Sequence, residues 1–172
     1  MRFLFALILA VTLTACGFHL RGSGSAQLPY STMHVALPET AEVAIWLKRY
    51  IKASGNTRIV DKSSDAEAIF EQLIDNRSKA ILSVNAQGRA REYRLMLSYS
   101  FRVVNSKGQV LVPPNQITLS RDVTFDDSNV LAKDLEEGLL WRDMNMDLVN
   151  QIMRRMSILK PKNPDQEEDD DE

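Results

Sequence analysis

The amino-acid sequence predicts an α+β fold in which two helices pack on one face of a mostly antiparallel four-stranded twisted sheet. Two observations carry this expectation. In "REYRLMLSYSFRVV" apolar Tyr93, Leu95, Leu97, Tyr99, Phe101 and Val103 alternate with Glu92, Arg94, Ser98, Ser100 and Arg102, and "QITLSRDVTF" alternates again through Ile117, Leu119, Val123 and Phe125. Strands of this kind bury one face and wet the other. Two segments, near residues 40–55 and 129–157, instead place their apolar residues at helical spacing, and a helix with one apolar stripe is what covers the buried face of such a sheet.

Taken in order, residues 1–15 read as a signal peptide. Met1 and Arg2 give a positive start, and Phe3 to Leu13 is almost wholly apolar but shorter than the roughly 20 residues needed to span a bilayer. Leu13-Thr14-Ala15-Cys16 resembles the bacterial lipobox, in which small residues admit a lipoprotein signal peptidase ahead of an invariant cysteine. That resemblance makes Cys16 the first mature residue, carrying a thioether-linked diacylglycerol and a further acyl chain on its amine. The alternative is a signal peptide cleaved elsewhere that leaves a free thiol. Each buried methylene contributes roughly 0.8 kcal/mol, so two or more chains anchor stably. Cys16 is the only cysteine, which excludes an intrachain disulfide. Gly17, rather than Asp, follows it and resembles lipoproteins released to the outer membrane in enteric-type bacteria.

Residues 16–32, rich in Gly and Ser, read as a tether, and a single α+β domain is expected over residues 33–160. "MHVAL" begins it as a short strand ended by Pro38. Helix one follows, with Val43, Leu47, Tyr50 and Ile51 on one stripe and Gly55 placed as its C-terminal cap. "AEAIFEQLI" and "KAILSV" read as strand segments interrupted by Asp75-Asn76-Arg77-Ser78. After the long alternating strand, Asn105-Ser106-Lys107-Gly108 marks a turn and Pro113-Pro114 an irregular link. Asp126, Asp127 and Ser128 offer capping groups for helix two, whose stripe runs through Leu131, Leu135, Leu139, Met146, Val149, Met153 and Met156. The methionines read as core filler.

Seven of the 23 acidic residues fall within residues 165–172, which leaves 16 acids against 20 Lys and Arg between residues 16 and 164. Residues 161–172 therefore read as a disordered acidic tail, because such a composition cannot bury apolar surface.

Catalytic and cofactor chemistry has no foothold. His19 lies in the tether and His34 in a short strand; two isolated histidines without cysteine partners make no zinc site, and the phosphate-binding glycine motifs are missing. The expectation is a protein that is not an enzyme and needs no cofactor beyond the lipid on Cys16. A cationic cluster remains around the turn after Val84: Arg89, Arg91 and Arg94, with Arg77 and Lys79 on the preceding strand. Arginine's planar fork matches phosphate oxygens. An exported lipoprotein meets no nucleic acid, and the polyanion of an outer membrane is the phosphorylated head of lipopolysaccharide (LPS). A solvated hairpin whose arginines keep a sheet edge from pairing is the plain alternative.

Cys16-Gly17-Phe18-His19-Leu20-Arg21-Gly22, Glu92-Tyr93 opening the long strand and Leu131-Ala132-Lys133-Asp134 opening helix two together resemble the LptE family of LPS-assembly lipoproteins, over about residues 16–157. The resemblance implies a non-catalytic lipoprotein that sits one-to-one as a plug inside an LptD-type outer-membrane β-barrel, helps assemble it and binds LPS, held to the inner leaflet of that membrane by its lipid. It also implies LPS contacts at Lys133 and at a cation in the turn before Glu92-Tyr93. Here that turn carries Asn85, Ala86 and Gln87, and the nearest cations are Arg89 and Arg91. A free-standing carrier of lipid or LPS, holding acyl chains between helices and sheet, is the competing expectation.

Overall fold

A computed structural model describes residues 27–125 and 130–158. The lipobox with Cys16, the capping residues Asp126 to Ser128 and the acidic tail lie outside the described residues. The chain runs β1 (Thr32–Val35), α1 (Glu42–Ser54), β2 (Arg58–Ile59), a 3-10 turn (Ser63–Asp65), β3 (Ala68–Val84), β4 (Ala90–Val104), β5 (Val110–Thr124) and α2 (Val130–Ile158). Five strands form one sheet in the order β2-β1-β3-β4-β5, one more than expected. β1 is parallel to both β2 and β3, and only the β3-β4-β5 meander is antiparallel. The extra strand, β2, is two residues long, too short to leave a period in the sequence.

Both helices share one core with the inner sheet face. Val43, Leu47 and Ile51 of α1, Met144, Leu148 and Ile152 of α2, and Leu95, Leu97, Tyr99 and Phe101 of β4 are all buried there. Phe70 and Phe101 stack at 5.3 Å. Gly55 caps α1 with φ 80°, a left-handed conformation that costs a glycine nothing. Leu28 and Tyr30, which the sequence places in the tether, are buried in this core, so it begins before Met33. The opposite sheet face is wet, with Arg94 bonded to Asp122 and Arg102 to Glu71.

Three further sequence expectations are corrected. Asp75 to Ser78 do not interrupt β3, which continues as one strand of 17 residues. The run is accommodated in the strand: Arg77 reaches Asn145 of α2 and pairs with Asp75, and Lys79, just beyond, reaches Glu137. Pro113 and Pro114 lie inside β5, at the irregularity opposite Arg102 where the register slips between Phe101 and Val103. β5 is an edge strand, and at a bulge on an edge a proline forfeits no ladder bond. Finally, Leu131, Leu135 and Leu139 are exposed; of the expected stripe α2 buries Val149, Met153 and Met156, with Met144, Leu148 and Ile152 beside them, against sheet and α1, while Met146 is only partly buried.

The last correction exposes the layout. β1 pairs with β3 only at residues 68–70, and the first residue of α1, Glu42, already meets Asn145 in the second half of α2. Beyond these points three strands and the first turns of α2 project together as an arm. Beside the packing of Leu140 and Trp141 against the core, its helix makes polar contacts: Lys79 Nζ to Glu137 at 2.5 Å, Trp141 Nε1 to Glu137 at 3.3 Å, and the Arg77 guanidinium 5.8 Å from the Trp141 ring.

Candidate anion-binding cleft at the arm tip

Two hairpin turns of one design shape the sheet. In Asn85-Ala86-Gln87-Gly88 the Asn85 Oδ1 accepts hydrogen bonds from the backbone N–H of Gln87 and of Arg89, at 3.0 and 2.9 Å, and Gly88 adopts φ 75°. Asn105-Ser106-Lys107-Gly108 repeats the geometry, with Asn105 Oδ1 accepting from Lys107 and Gln109 and Gly108 at φ 81°. An Asn whose side chain closes the turn and a Gly with positive φ are required by this loop. The first turn thus commits residues 85 and 88 to turn chemistry, and the cations flank it at Arg89 and Arg91.

A cleft of about 890 Å³ opens at this tip, lined by Ser83, Val84 and Asn85 of β3 and the turn, Ala90, Arg91 and Glu92 of β4, Thr124 and Phe125 at the end of β5, and Lys133 of α2. Strand register assembles the floor, because Ser83 pairs with Glu92 and Glu92 with Thr124 in one row across the three strands. The Phe125 backbone N–H donates to the Arg91 carbonyl at 2.7 Å, and the Phe125 ring stands edge-on to Tyr93 at 5.7 Å. Lys133, one turn into α2, points Nζ at the Glu136 carboxylate (2.7 Å) and at the Thr124 hydroxyl (3.4 Å). The Ser83 hydroxyl donates to Glu92 at 2.7 Å. Two cations, hydroxyls and an apolar wall of Val84 and Phe125 thus face one space, a lining suited to a phosphorylated group that also carries apolar substance.

Of the three sequence-derived contact residues, the structure brings two together. Arg91 and Lys133 line the cleft, whereas Arg89 is not among its lining residues. The other cations of the cluster are taken up elsewhere. Arg94 forms a two-point bond to Asp122 at 2.7 and 2.8 Å, Arg77 engages Asn145 and Trp141, and Lys79 pairs with Glu137 while lying 4.3 Å from the Tyr93 ring. The two-point hydrogen bond from Arg94, with its charge, holds the Asp122 carboxyl below its ordinary range. Ser83, Thr124 and Phe125 were not singled out as site residues from sequence; only the strand register could have revealed them.

His34, the one described histidine, bonds through Nδ1 to the Val60 carbonyl at 3.1 Å. Among the described residues no three His, Cys, Asp or Glu side chains are grouped to hold a metal ion, and no described helix is long and apolar enough to cross a membrane.

Comparison with known proteins bears on the family and the fold. The LPS-assembly lipoprotein LptE of Pectobacterium atrosepticum is 27% identical over 165 residues, spanning 89% of this chain and 84% of its own. Lipoprotein B of Nitrosomonas europaea, solved by NMR, superposes with a TM-score of 0.68 at 34% identity, covering 82% of this chain and 90% of that one. Rare lipoprotein B of Shewanella oneidensis shares the fold at 23% identity, with a TM-score of 0.64 over 74% of this chain and 94% of its own. Residues 30–156 match the family described as "LptE: Lipopolysaccharide-assembly", and the chain belongs to that non-enzymatic family.

Proposed function

We propose that this chain is an outer-membrane lipoprotein that binds LPS at the arm-tip cleft and serves as the plug and assembly partner of an LptD-type β-barrel. The observation that carries the LPS reading is the convergence of Arg91 and Lys133, from different elements, on one cleft walled by Phe125 and Val84. Phosphates of lipid A meet the two cations, and the apolar wall takes the first part of the acyl chains. The plug reading draws on family membership and on the arm itself, a narrow three-stranded sheet whose helix-free face carries Ser98, Thr118 and Ser120, suited to a polar barrel lumen. In this reading residues 1–15 are removed, lipid on Cys16 holds the chain at the inner leaflet, and residues 161–172 remain in solvent. Anchoring raises the effective concentration of plug near barrel without a new contact. The competing carrier would store acyl chains between helices and sheet, but Leu97, Tyr99, Met144, Leu148 and Ile152 occupy that layer, each fully buried.

The test is titration of the detergent-solubilised chain with LPS. Arg91→Glu and Lys133→Asp should each weaken binding at least about tenfold, because reversing a charge beside a phosphate replaces attraction with repulsion. Circular dichroism should stay native. Unchanged affinity in both would remove LPS from this cleft, and failure to isolate a one-to-one complex with a large barrel protein from outer membranes would remove the plug.

A further inference from the structure

The cleft's cations are already balanced by carboxylates. Lys133 is paired with Glu136 at 2.7 Å, and Glu92, held by the Ser83 hydroxyl at 2.7 Å, lines the same space as Arg91. The lining therefore sets one carboxylate, Glu92, against two cations, and Glu136, from outside the lining, neutralises one of those cations, Lys133. We propose that Glu136 is a counter-anion gate on this site: its carboxylate occupies the Lys133 ammonium until a phosphate displaces it. The inference rests on the reading of the cleft as an anion site and adds how entry to it is regulated.

The geometry favours a gate over a rigid structural pair. Glu136 stands on the same helix face as Lys133, three positions on, and its side chain is 47% exposed, so it can swing into water when displaced. Lys133 is the constrained partner. Its side chain is 21% exposed, and its ammonium also reaches Thr124 Oγ1, a cleft-lining hydroxyl that stays in place when the carboxylate leaves. Displacement exchanges one charge-assisted hydrogen bond for another, so a ligand gains only the difference between its phosphate and the resident carboxylate. A weakly charged group gains too little to open the pair. A phosphate monoester, with a charge of about −1.5 to −2 and three acceptor oxygens, gains more.

The variants are Glu136→Gln, Lys133→Met and the double variant, in the full chain solubilised in neutral detergent, titrated with LPS and separately with a water-soluble glucosamine phosphate. Removing the internal competitor should tighten LPS binding about two- to fivefold, the range expected for releasing one partly exposed ion pair. The gain should vanish in the Lys133→Met background, since the carboxylate acts only through that ammonium. Glu136→Gln should also steepen the fall of affinity with salt, a change that a purely structural role would not produce. Tightening by the soluble phosphate as well would place the gate on the phosphate; tightening by LPS alone would make the rest of the lipid necessary to open it. The proposal is overturned if Glu136→Gln leaves LPS affinity unchanged or lowers it, or if its gain persists without the lysine. If Lys133→Met also has no effect, the anion-site reading falls with it.

Discussion

Arg77 donates a hydrogen bond to the Asn145 carboxamide oxygen at 3.2 Å, and Asn145, fully buried, passes one on from Nδ2 to the Glu42 carboxylate at 2.6 Å. One side chain thereby ties β3 to α2 and α2 to the start of α1, at the point where the packed base of the molecule gives way to the arm. Because both of its partners are charged, removing the carboxamide leaves two ionic groups short of a bond near the core. Asn145→Ala should therefore cost about 1–3 kcal/mol, more than an exposed polar residue would. Urea unfolding followed by circular dichroism measures it; a midpoint equal to wild type would mean that water replaces Asn145 without loss.

How far the fold was legible in the sequence follows from which signals are local. The alternation from Tyr93 to Val103 is a property of one strand, and β4 buries Leu95 through Val103 on that face. Gly55 and the turn at Asn105 to Gly108 are equally local. What escaped the sequence depends on partners far along the chain. The run from Asp75 to Ser78 resembles a loop until Asn145 and Glu137 come to lie over it. Leu131, Leu135 and Leu139 resemble core until the shortness of α1 and β1 is known. At the site, Lys133 was reached by family resemblance, and Arg89 and Arg91 as the cations nearest the turn; the choice of Arg91 alone for the cleft's lining is made by the fold and not by any local signal.

That choice is itself testable. Arg91 lines the cleft and Arg89 does not, so Arg89→Glu should weaken LPS binding much less than Arg91→Glu, with the two measured side by side at one salt concentration. Equal losses would enlarge the site to include the turn, since surface charges act over about a Debye length, roughly 10 Å at 0.1 M salt.

The leucines of the arm supply a stability contrast within one helix. Leu131 and Leu135 are 75% and 66% exposed, whereas Leu148 is fully buried. Leu135→Ser should change stability by no more than about 0.5 kcal/mol, as surface substitutions do. Leu148→Ala should cost about 2–5 kcal/mol through lost burial and the cavity left behind. Thermal melts of the two variants decide it, and a large loss from Leu135→Ser would mean that the arm helix packs on its outer face in solution.

Alkaline pH should unfold the domain through its buried phenols. Burial, with the charge of Glu67 behind it, pushes the Tyr30 hydroxyl up to about 12 from an ordinary value of 10.0. Burial pushes Tyr99 up as well, with the Asp75 charge adding to it. In the unfolded chain these groups release their protons from about pH 10, so above that pH the unfolded state binds fewer protons than the folded one. Stability is therefore intact below pH 10 and falls as the pH climbs toward 12. Among the described residues nothing hydrogen-bonds the Tyr30 hydroxyl, which is buried beside the core. Tyr30→Phe should then be neutral or stabilising at pH 7 and should lose less stability between pH 10 and 12 than wild type. Denaturant midpoints at pH 7, 10 and 11.5 provide the measurement; a wild-type midpoint that held constant across them would show that neither phenol is shielded.

The anchor is tested at the one thiol. Cys16 has no second cysteine to replace it as acceptor of a thioether-linked lipid. Cys16→Ala should therefore abolish incorporation of radiolabelled palmitate and leave the signal segment uncleaved by the lipoprotein peptidase, seen as a heavier band. The fold should survive, because Leu28 is the first described residue to enter the core, twelve positions beyond the cysteine. The variant should then bind LPS in detergent with wild-type affinity while losing its attachment to membranes, which separates the contribution of the lipid from that of the cleft. Palmitate labelling that persisted in Cys16→Ala would overturn the lipid assignment, and a molten circular dichroism signature would mean that the segment before residue 27 takes part in the fold.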